Sequence, residues 1–351
     1  MLPPMKQLRI CMVGLLAGWI SGLPSCGTDT GPTKGAGARE ENKAEPQPMA
    51  SPPASVPIKE RTVVASPETV LPRPTTLLEL DESAYGKTLV VEGKTVFLMT
   101  PTAVRQWTPG APPVETPLPC GTGPALTTAD ILFWTDGAIR AAPRAGGTAR
   151  LLGTVDRQPL QLLASGNQFA WLDRDPQDKY TVLTLKKGAP QIIYNAGTAI
   201  TSPIATAGRA YFVEQLASGW RIVGIPLQGK GKRVVSTTRA GRTPAMLAGR
   251  DDIYYYDLPS RSIRRLPLDL SREETVAEGV VCSPMAVAER IFCARVEGVF
   301  SVPLNGDPLT VLTAEPVGLV TTIAAGTDAV AWLNDTGANH LTLRMLPLSQ
   351  R

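Results

Sequence analysis

The heptapeptide Asp130-Ile131-Leu132-Phe133-Trp134-Thr135-Asp136 is a short apolar run bounded by polar residues that favour turns. Runs of this length and composition are typical of β-strands. Similar runs recur at 95–99, 130–134, 167–171, 209–213, 252–256, 290–294 and 328–332. Counted between their last residues, the steps are 35, 37, 42, 43, 38 and 38 residues. The sequence therefore predicts a repeated unit of about 40 residues, a length that fits four strands.

Two further signals keep the phase of this repeat. A proline opens the strand before five of the runs, where no ladder N–H is needed. These prolines are Pro124, Pro159, Pro203, Pro244 and Pro284. A turn signal, often with an Asp or Asn, follows the run. Examples are Trp134-Thr135-Asp136, Trp171-Leu172-Asp173 and Trp332-Leu333-Asn334.

Each repeat is thus predicted to be a four-stranded antiparallel sheet, which is only marginally stable alone. Radial packing of such sheets buries both faces of each, and this is the β-propeller arrangement. We predict an all-β fold, a β-propeller over 74–351 with seven four-stranded blades; six is the alternative if the unit around Met99 is irregular. The last unit lacks an outermost strand, and we expect the N-terminal strand at 75–80 to complete it and close the ring.

The second repeat carries a family resemblance. Phe133-Trp134-Thr135-Asp136, followed by Ile139, Pro143 and Gly146-Gly147, resembles the YWTD-type and TolB-like propeller repeats of bacterial proteins. The resemblance extends over about 75–350. It implies a propeller that binds proteins or peptides or that scaffolds other modules, and it does not by itself establish a function.

The N-terminus carries the pattern of a secretory signal. Residues 1–9 contain Lys6 and Arg9 and no acid, and 10–23 are apolar over a length typical of a signal peptide. Leu23-Pro24-Ser25-Cys26-Gly27 resembles a bacterial lipobox, so we expect 1–25 to be removed and Cys26 to be lipidated. Plain secretion is the alternative. Residues 26–73 are proline-rich and lack aromatic side chains, which predicts a disordered tether between the lipid and the propeller.

Composition excludes several classes of protein. The chain has 351 residues, 19% of them charged, and a single histidine, His340, which disfavours multi-histidine metal sites and His-dependent triads. Removal of the signal would leave a net charge of about +2, so charge does not suggest a nucleic-acid partner. The nucleophile motif G-x-S-x-G is absent, and Gly86-Lys87-Thr88 and Gly93-Lys94-Thr95 lack the upstream glycine of a phosphate loop.

We therefore expect a monomeric, non-enzymatic module of the bacterial cell envelope, periplasmic or on the outer-membrane surface. The lipid anchors it, it binds a protein or peptide, and no cofactor or metal is expected. One alternative is an enzyme that acts on carbohydrate or peptide at the mouth of the central channel. Another is a structural surface lipoprotein without a specific ligand.

The channel mouth is the predicted ligand site, because the residues just before each inner strand ring it. They are Thr122, Arg157, Thr201, Arg242 and Ser283. The two arginines would favour an acidic ligand.

Other polar groups carry weaker signals. Asp173, Asp175 and Asp178 could hold a cation through oxygens, but a solvated turn is favoured. A basic sector is either a solvated outer edge, which is favoured, or a contact with anionic lipid headgroups or polysaccharide. Its members are Lys230, Lys232, Arg233, Arg261, Arg264 and Arg265.

Three cysteines, Cys120, Cys282 and Cys293, remain after processing. With a turn near Glu289, Cys282 would face about residue 296 rather than Cys293, so the register favours free thiols over a bond. Trp134, Trp171 and Trp332 share one repeat phase and predict an inter-blade core. His340 is expected in a surface turn.

Overall fold

A computed structural model describes residues 73–81, 87–100, 102–118, 124–175, 179–282, 284–306, 309–313, 318–337 and 340–348. These residues form 28 β-strands. Within these ranges there is no helix, and so none long and apolar enough to cross a membrane. The predicted signal, Cys26, most of the tether and Cys120 lie outside them.

The strands form seven four-stranded antiparallel sheets, which confirms the seven-bladed β-propeller. Blade 1 is β2 (Thr88–Glu92), β3 (Thr95–Met99), β4 (Ala103–Trp107) and β5 (Val114–Pro117). Blade 2 is β6 (Ala125–Leu126), β7 (Asp130–Thr135), β8 (Ala138–Pro143) and β9 (Arg150–Thr154). Blade 3 is β10 (Gln161–Ser165), β11 (Gln168–Arg174), β12 (Tyr180–Lys186) and β13 (Ala189–Asn195). Blade 4 is β14 (Ile200–Thr206), β15 (Arg209–Leu216), β16 (Gly219–Pro226) and β17 (Val234–Val235).

Blade 5 is β18 (Met246–Ala248), β19 (Asp252–Asp257), β20 (Ser262–Pro267) and β21 (Glu274–Ala277). Blade 6 is β22 (Met285–Val287), β23 (Arg290–Arg295), β24 (Gly298–Pro303) and β25 (Thr310–Thr313). Blade 7 is β26 (Leu319–Ala325), β27 (Ala329–Gly337), β28 (His340–Pro347) and, outermost, β1 (Thr75–Asp81). The unit around Met99 is a regular blade, so the alternative of six blades is wrong.

The N-terminal strand closes the ring, as predicted. β1 pairs antiparallel with β28, so that Thr75 lies opposite Met345 and Asp81 opposite His340. Leu80 is buried in the cluster that joins blade 7 to blade 1. His340, predicted in a surface turn, instead begins β28, and its Nδ1 lies 2.8 Å from Asp81 Oδ1. The only histidine of the chain is thus part of the closure.

The strand order gives the propeller two distinct faces. One face, here called the loop face, carries the connections into each inner strand and the turns between second and third strands. The other, the turn face, carries the turn between the first and second strands of every blade and, in blades 1 to 6, the turn between the third and fourth strands. The chain enters β1 at Thr75 on the turn face, because β28 ends there at Pro347.

The core lies between blades, since the second strand of each blade buries both of its sides. In β27, Ala331 and Leu333 pack toward blade 1, whereas Val330 and Trp332 pack toward blade 6. This explains why the repeated runs are almost continuously apolar rather than alternating. Trp171 and Trp332 are fully buried, as predicted, but Trp134 is only half-buried against its cluster.

Three predicted boundaries are wrong in detail. Pro203 does not open a strand but lies inside β14, where the register shifts between Thr201 and Ile204. Asp173 does not mark a turn because β11 runs on to Arg174. Asn334 is likewise a buried strand residue in β27. Longer strands in these blades move the turn two or more residues beyond the local polar signal.

The favoured prediction of free thiols is also wrong, because Cys282 and Cys293 form a disulfide with a Cα–Cα distance of 4.8 Å. The ladder register matches the prediction, with Met285 opposite Cys293. However, β22 begins only at Met285, so Cys282 precedes the strand. The register of the β22–β23 ladder therefore does not determine the position of Cys282, which lies close enough to β23 to bond Cys293.

Candidate binding surface

The predicted channel-mouth residues are only partly comparable with the structure. Arg157 lies in the loop into β10, where its Nη1 donates to the Arg174 carbonyl oxygen at 3.4 Å. Arg242 is exposed in the loop into β18. Thr201 lies within β14, opposite Val213, rather than before it. Thr122 and Ser283 fall outside the described residues. Across the described ranges, no hydrogen bond or ion pair joins Arg157, Thr201 and Arg242 to one another.

The bulge beside Thr201 is used to join blades. Ser202 adopts a left-handed φ of 49°, and its hydroxyl donates to the Pro244 carbonyl oxygen of blade 5 at 2.9 Å. The Pro203 carbonyl oxygen accepts from Gln161 Nε2 of blade 3 at 3.3 Å. The hydroxyl oxygen of Thr201 is buried without a hydrogen-bond partner. These polar groups of the inner strands thus serve mainly to connect neighbouring blades.

In the acidic segment of blade 3, the carboxyl of Asp173 lies near the charge of Arg157. Burial raises the pKa of the Asp173 carboxyl, although the Arg174 N–H and the nearby Arg157 charge oppose this. Asp173 Oδ1 accepts from the Arg174 backbone N–H at 2.7 Å. Asp178 lies outside the described residues. Among the residues that the structure covers, no three His, Cys, Asp or Glu side chains are grouped to hold a metal ion.

The structure does not bring the predicted basic sector together. Arg261 lies in the turn between β19 and β20 on the loop face. Arg264 faces Glu273, and Arg265 pairs with Glu274, which raises the pKa of Arg265. Lys230, Lys232 and Arg233 instead lie on the turn face of blade 4. The predicted sector thus divides into two separate groups.

A cavity of about 320 Å³ opens between blades 2 and 3 on the turn face. Its walls include Leu132, Leu152 and Phe169. Its charged groups are already paired, since Arg150 donates to both oxygens of Asp130 at 2.8 and 2.5 Å. This arrangement leaves no free charge in the described lining to select a ligand.

The loop face carries an unusual set of exposed apolar side chains on three consecutive blades. Together they are called the apolar arc: Leu258, Val281, Val296 and Leu319. Their exposed fractions are 56%, 45%, 66% and 65%. Single exposed hydrophobic residues are common, whereas groups of them mark interaction sites.

The apolar arc is held by specific contacts. The turn that carries Leu258 is bonded to the next loop, since the Val280 N–H donates to the Arg261 carbonyl oxygen at 3.1 Å. Arg295 Nε donates to the Val281 carbonyl oxygen at 2.8 Å, which ties the same loop to the turn of Val296. The Cys282–Cys293 disulfide adds a covalent link, and β26, which begins at Leu319, packs against β22 and β23. The arc is therefore a preorganised surface.

Sequence reasoning missed the apolar arc, although a signal was present. Leu258 and Val296 occupy tight turns directly after predicted strand runs, where polar residues are usual. An apolar residue at a turn position has no core to enter. Recognising that the four residues share one face required the strand order of three blades.

Comparison with solved structures supports the fold. The chain is similar to a puromycin-hydrolysing peptidase of Mycobacterium tuberculosis, with a TM-score of 0.55, 13% identity and coverage of 75% of this chain and 51% of that one. It spans about half the length of that peptidase. It is also similar to the β-propeller domain of Cps50 (Swd1) from Myceliophteria thermophila, with a TM-score of 0.53, 10% identity and coverage of 76% and 98%. No protein-family model and no curated protein matches the chain.

Proposed function

We propose that this chain is a lipid-anchored, non-enzymatic propeller of the bacterial cell envelope that binds a protein partner through the apolar arc. The observation that carries the proposal is the arc itself, four large apolar side chains that are each at least 45% exposed on neighbouring blades. Burial of apolar surface drives most protein association. The β-propeller fold fits such a module.

The character of the arc favours a protein rather than a small molecule. Small-molecule sites are concave and enclose most of the ligand. The arc lies on turns and loop ends, with charged neighbours such as Arg295 and Glu297 around it, as in the apolar centre and polar rim of a protein interface. Because hydrogen bonds and a disulfide already order these loops, little conformational entropy is lost on binding.

Two observations support an envelope location. The segment around Cys26 resembles a lipobox, and dual or multiple acyl chains give stable membrane anchoring. The Cys282–Cys293 disulfide fits an oxidising compartment outside the cytoplasm. The chain enters β1 on the turn face, opposite the loop face that carries the arc, and this arrangement fits an arc that meets a periplasmic or surface partner.

Substitution within the arc tests partner binding. Val296→Glu is expected to abolish the crosslinked complex that wild type forms in envelopes of the producing cells, because a carboxylate would have to be buried unpaired. Val114→Glu is the matched control, since Val114 is 45% exposed but lies on the outermost strand of blade 1. Equal loss in both variants, or none in either, would contradict the proposal.

Metabolic labelling with a fatty acid tests the anchor. Wild type is expected to incorporate label, and Cys26→Ser is expected to lose it entirely. Equal labelling of the two proteins would show that Cys26 is not the acylated residue.

The channel-mouth residues Thr122, Arg157, Thr201, Arg242 and Ser283 remain proposed contacts for an acidic part of the partner. The position of Arg157 and Arg242 on the loop face supports this, because the same partner could reach them. Arg157→Ala and Arg242→Ala are expected to weaken the crosslinked complex without abolishing it. Hydrolysis of carbohydrate or peptide that these substitutions abolish would favour the enzymatic alternative instead.

A further inference from the structure

The turn face of blades 3 and 4 carries a group of cationic side chains that the sequence spacing separates. It is called the basic patch here and consists of Lys186, Lys187, Arg209, Lys230, Lys232 and Arg233. Lys186 and Lys187 lie at the turn between β12 and β13, and the last three lie between β16 and β17. All but Arg209 are exposed.

Specific contacts bring the two turns together. A Cβ on Gly229 would lie 2.6 Å from Ile193 Cγ2, so the blade 4 turn presses directly on the outer strand of blade 3. Arg233 lies over the ring of Tyr194 on that strand, 5.8 Å from its centroid. Arg209 Nη1 donates to the Lys232 carbonyl oxygen at 3.0 Å, which holds the turn from the other side.

The basic patch gathers six cations that form no ion pair within the described part of the chain, whereas three other arginines toward the turn face are matched by acids. Arg144 pairs with Glu92, Arg150 with Asp130 and Arg265 with Glu274. None of the ion pairs formed among the described residues includes a member of the patch. Six like charges that form no ion pair among the described residues repel one another and attract an external anionic surface.

The position of the patch indicates which anionic surface. β1 begins at Thr75 on the turn face, and the 74 residues before it in the sequence include Cys26. The patch therefore shares a face with the end of the segment that would lead to the lipid. Two exposed apolar side chains lie on the outermost strands of blades 2 and 3. They are Leu151, which is 54% exposed, and Ile192, which is 53% exposed.

We propose that the basic patch docks the turn face on the anionic phospholipid headgroups of the membrane that holds the chain. This deepens the proposed function and rests on its anchoring step. Clustered Lys and Arg gain energy near an anionic bilayer, and this gain falls off within a Debye length. Attachment through the tether would raise the local concentration of the membrane surface, so individually weak contacts suffice. Docking would point the apolar arc away from the bilayer.

Co-sedimentation with vesicles tests the basic patch. The full chain carrying Cys26→Ser is used, so that no covalent lipid anchor contributes to binding. Vesicles of phosphatidylcholine and phosphatidylglycerol in equal parts are compared with vesicles of phosphatidylcholine alone. The protein is expected to bind the mixed vesicles and to be released as salt rises from about 0.05 to about 0.5 M. Adding Lys187→Glu and Lys230→Glu is expected to weaken this binding by about tenfold or more.

Lys179→Glu with Arg261→Glu is the matched control, because it changes the net charge equally on the loop face. Its binding is expected to stay within about twofold of the parent chain. Residues 1–72 are the same in all variants, so binding through them is common to every sample. Equal loss in both double variants, or no preference for phosphatidylglycerol, would overturn the proposal. Release by a DNA oligonucleotide at concentrations below that of the lipid would do so too, since it would indicate a site for soluble polyanions.

These outcomes separate this proposal from the proposed function. A wild-type protein that incorporates no fatty acid would overturn the anchor, and one that forms no crosslinked complex would overturn the arc. Neither result involves residues of the basic patch. A protein that fails those tests but binds the mixed vesicles keeps the basic patch as a membrane-binding surface without the anchor.

Discussion

At the scale of single residues, several charged side chains of this propeller connect strands or blades. Glu214 is only 3% exposed, yet it accepts from Tyr194 of blade 3 at 2.9 Å and pairs with Arg221 at 2.6 Å. Burial, together with the Glu214 charge, raises the pKa of the Tyr194 hydroxyl. Arg144 of blade 2 similarly contacts Glu92 and the Phe97 ring of blade 1. Such partners are distant in sequence, so the sequence could not predict them.

The Asp130–Arg150 pair gives a prediction on pH dependence. Hydrogen bonds from Arg150 lower the pKa of Asp130, so the ionised form stabilises the folded state. This contribution is present above the ordinary Asp range and is lost as pH falls through the lowered pKa. Asp130→Asn is therefore expected to reduce the free energy of unfolding at neutral pH, with a deficit that shrinks progressively in acid. Urea denaturation across this pH range measures it.

The control for that titration is Asp251→Asn, an exposed residue in the turn before β19. Its effect is expected to be within about 0.5 kcal/mol at every pH, as for most surface substitutions. A deficit for Asp130→Asn that stayed constant with pH would show that the ion pair does not contribute in this way.

At the scale of strands, the sequence predicted the positions of those strands that are buried on both faces. The second strand of each blade contacts both neighbouring blades, and all seven runs predicted from their apolar composition are such strands. Five of the seven outermost strands have five residues or fewer, as in the half-exposed β17 (Val234–Val235), so their boundaries depend on tertiary contacts. The bulge at Ser202–Pro203 and the disulfide at Cys282 depend on chain paths outside regular ladders. Sequence periodicity does not encode those paths.

Closure by β1 gives a prediction at this scale. Leu80 is 7% exposed and packs with Leu341 and Leu343 in the cluster between blades 7 and 1. Leu80→Ala is expected to lower the free energy of unfolding by about 2–5 kcal/mol because it leaves a cavity in that cluster. Glu79→Ala, one residue away and exposed, is expected to change it by less than about 0.5 kcal/mol. Equal effects in chemical denaturation would mean that β1 does not contribute to the core of blade 7.

At the scale of the whole molecule, the propeller separates two surfaces. The apolar arc lies on the loop face, and the basic patch lies on the turn face, where the chain enters. The sequence predicted the ring and its closure but not these surfaces. It placed a ligand at the channel mouth and grouped Lys230 with Arg264, because repeat spacing does not reveal which turns share a face. Strand direction decides that, and it becomes known only from the pairing of all four strands in each blade.

The apolar arc is the centre of this account, and site-specific photocrosslinking tests it most directly. A photoreactive residue placed at Val296, in cells that produce the protein, is expected to yield one discrete adduct with another protein. The same residue at Val114, on the outermost strand of blade 1, is expected to yield none. No adduct at Val296, or the same adduct at both positions, would contradict the assignment of the loop face as a protein-binding surface.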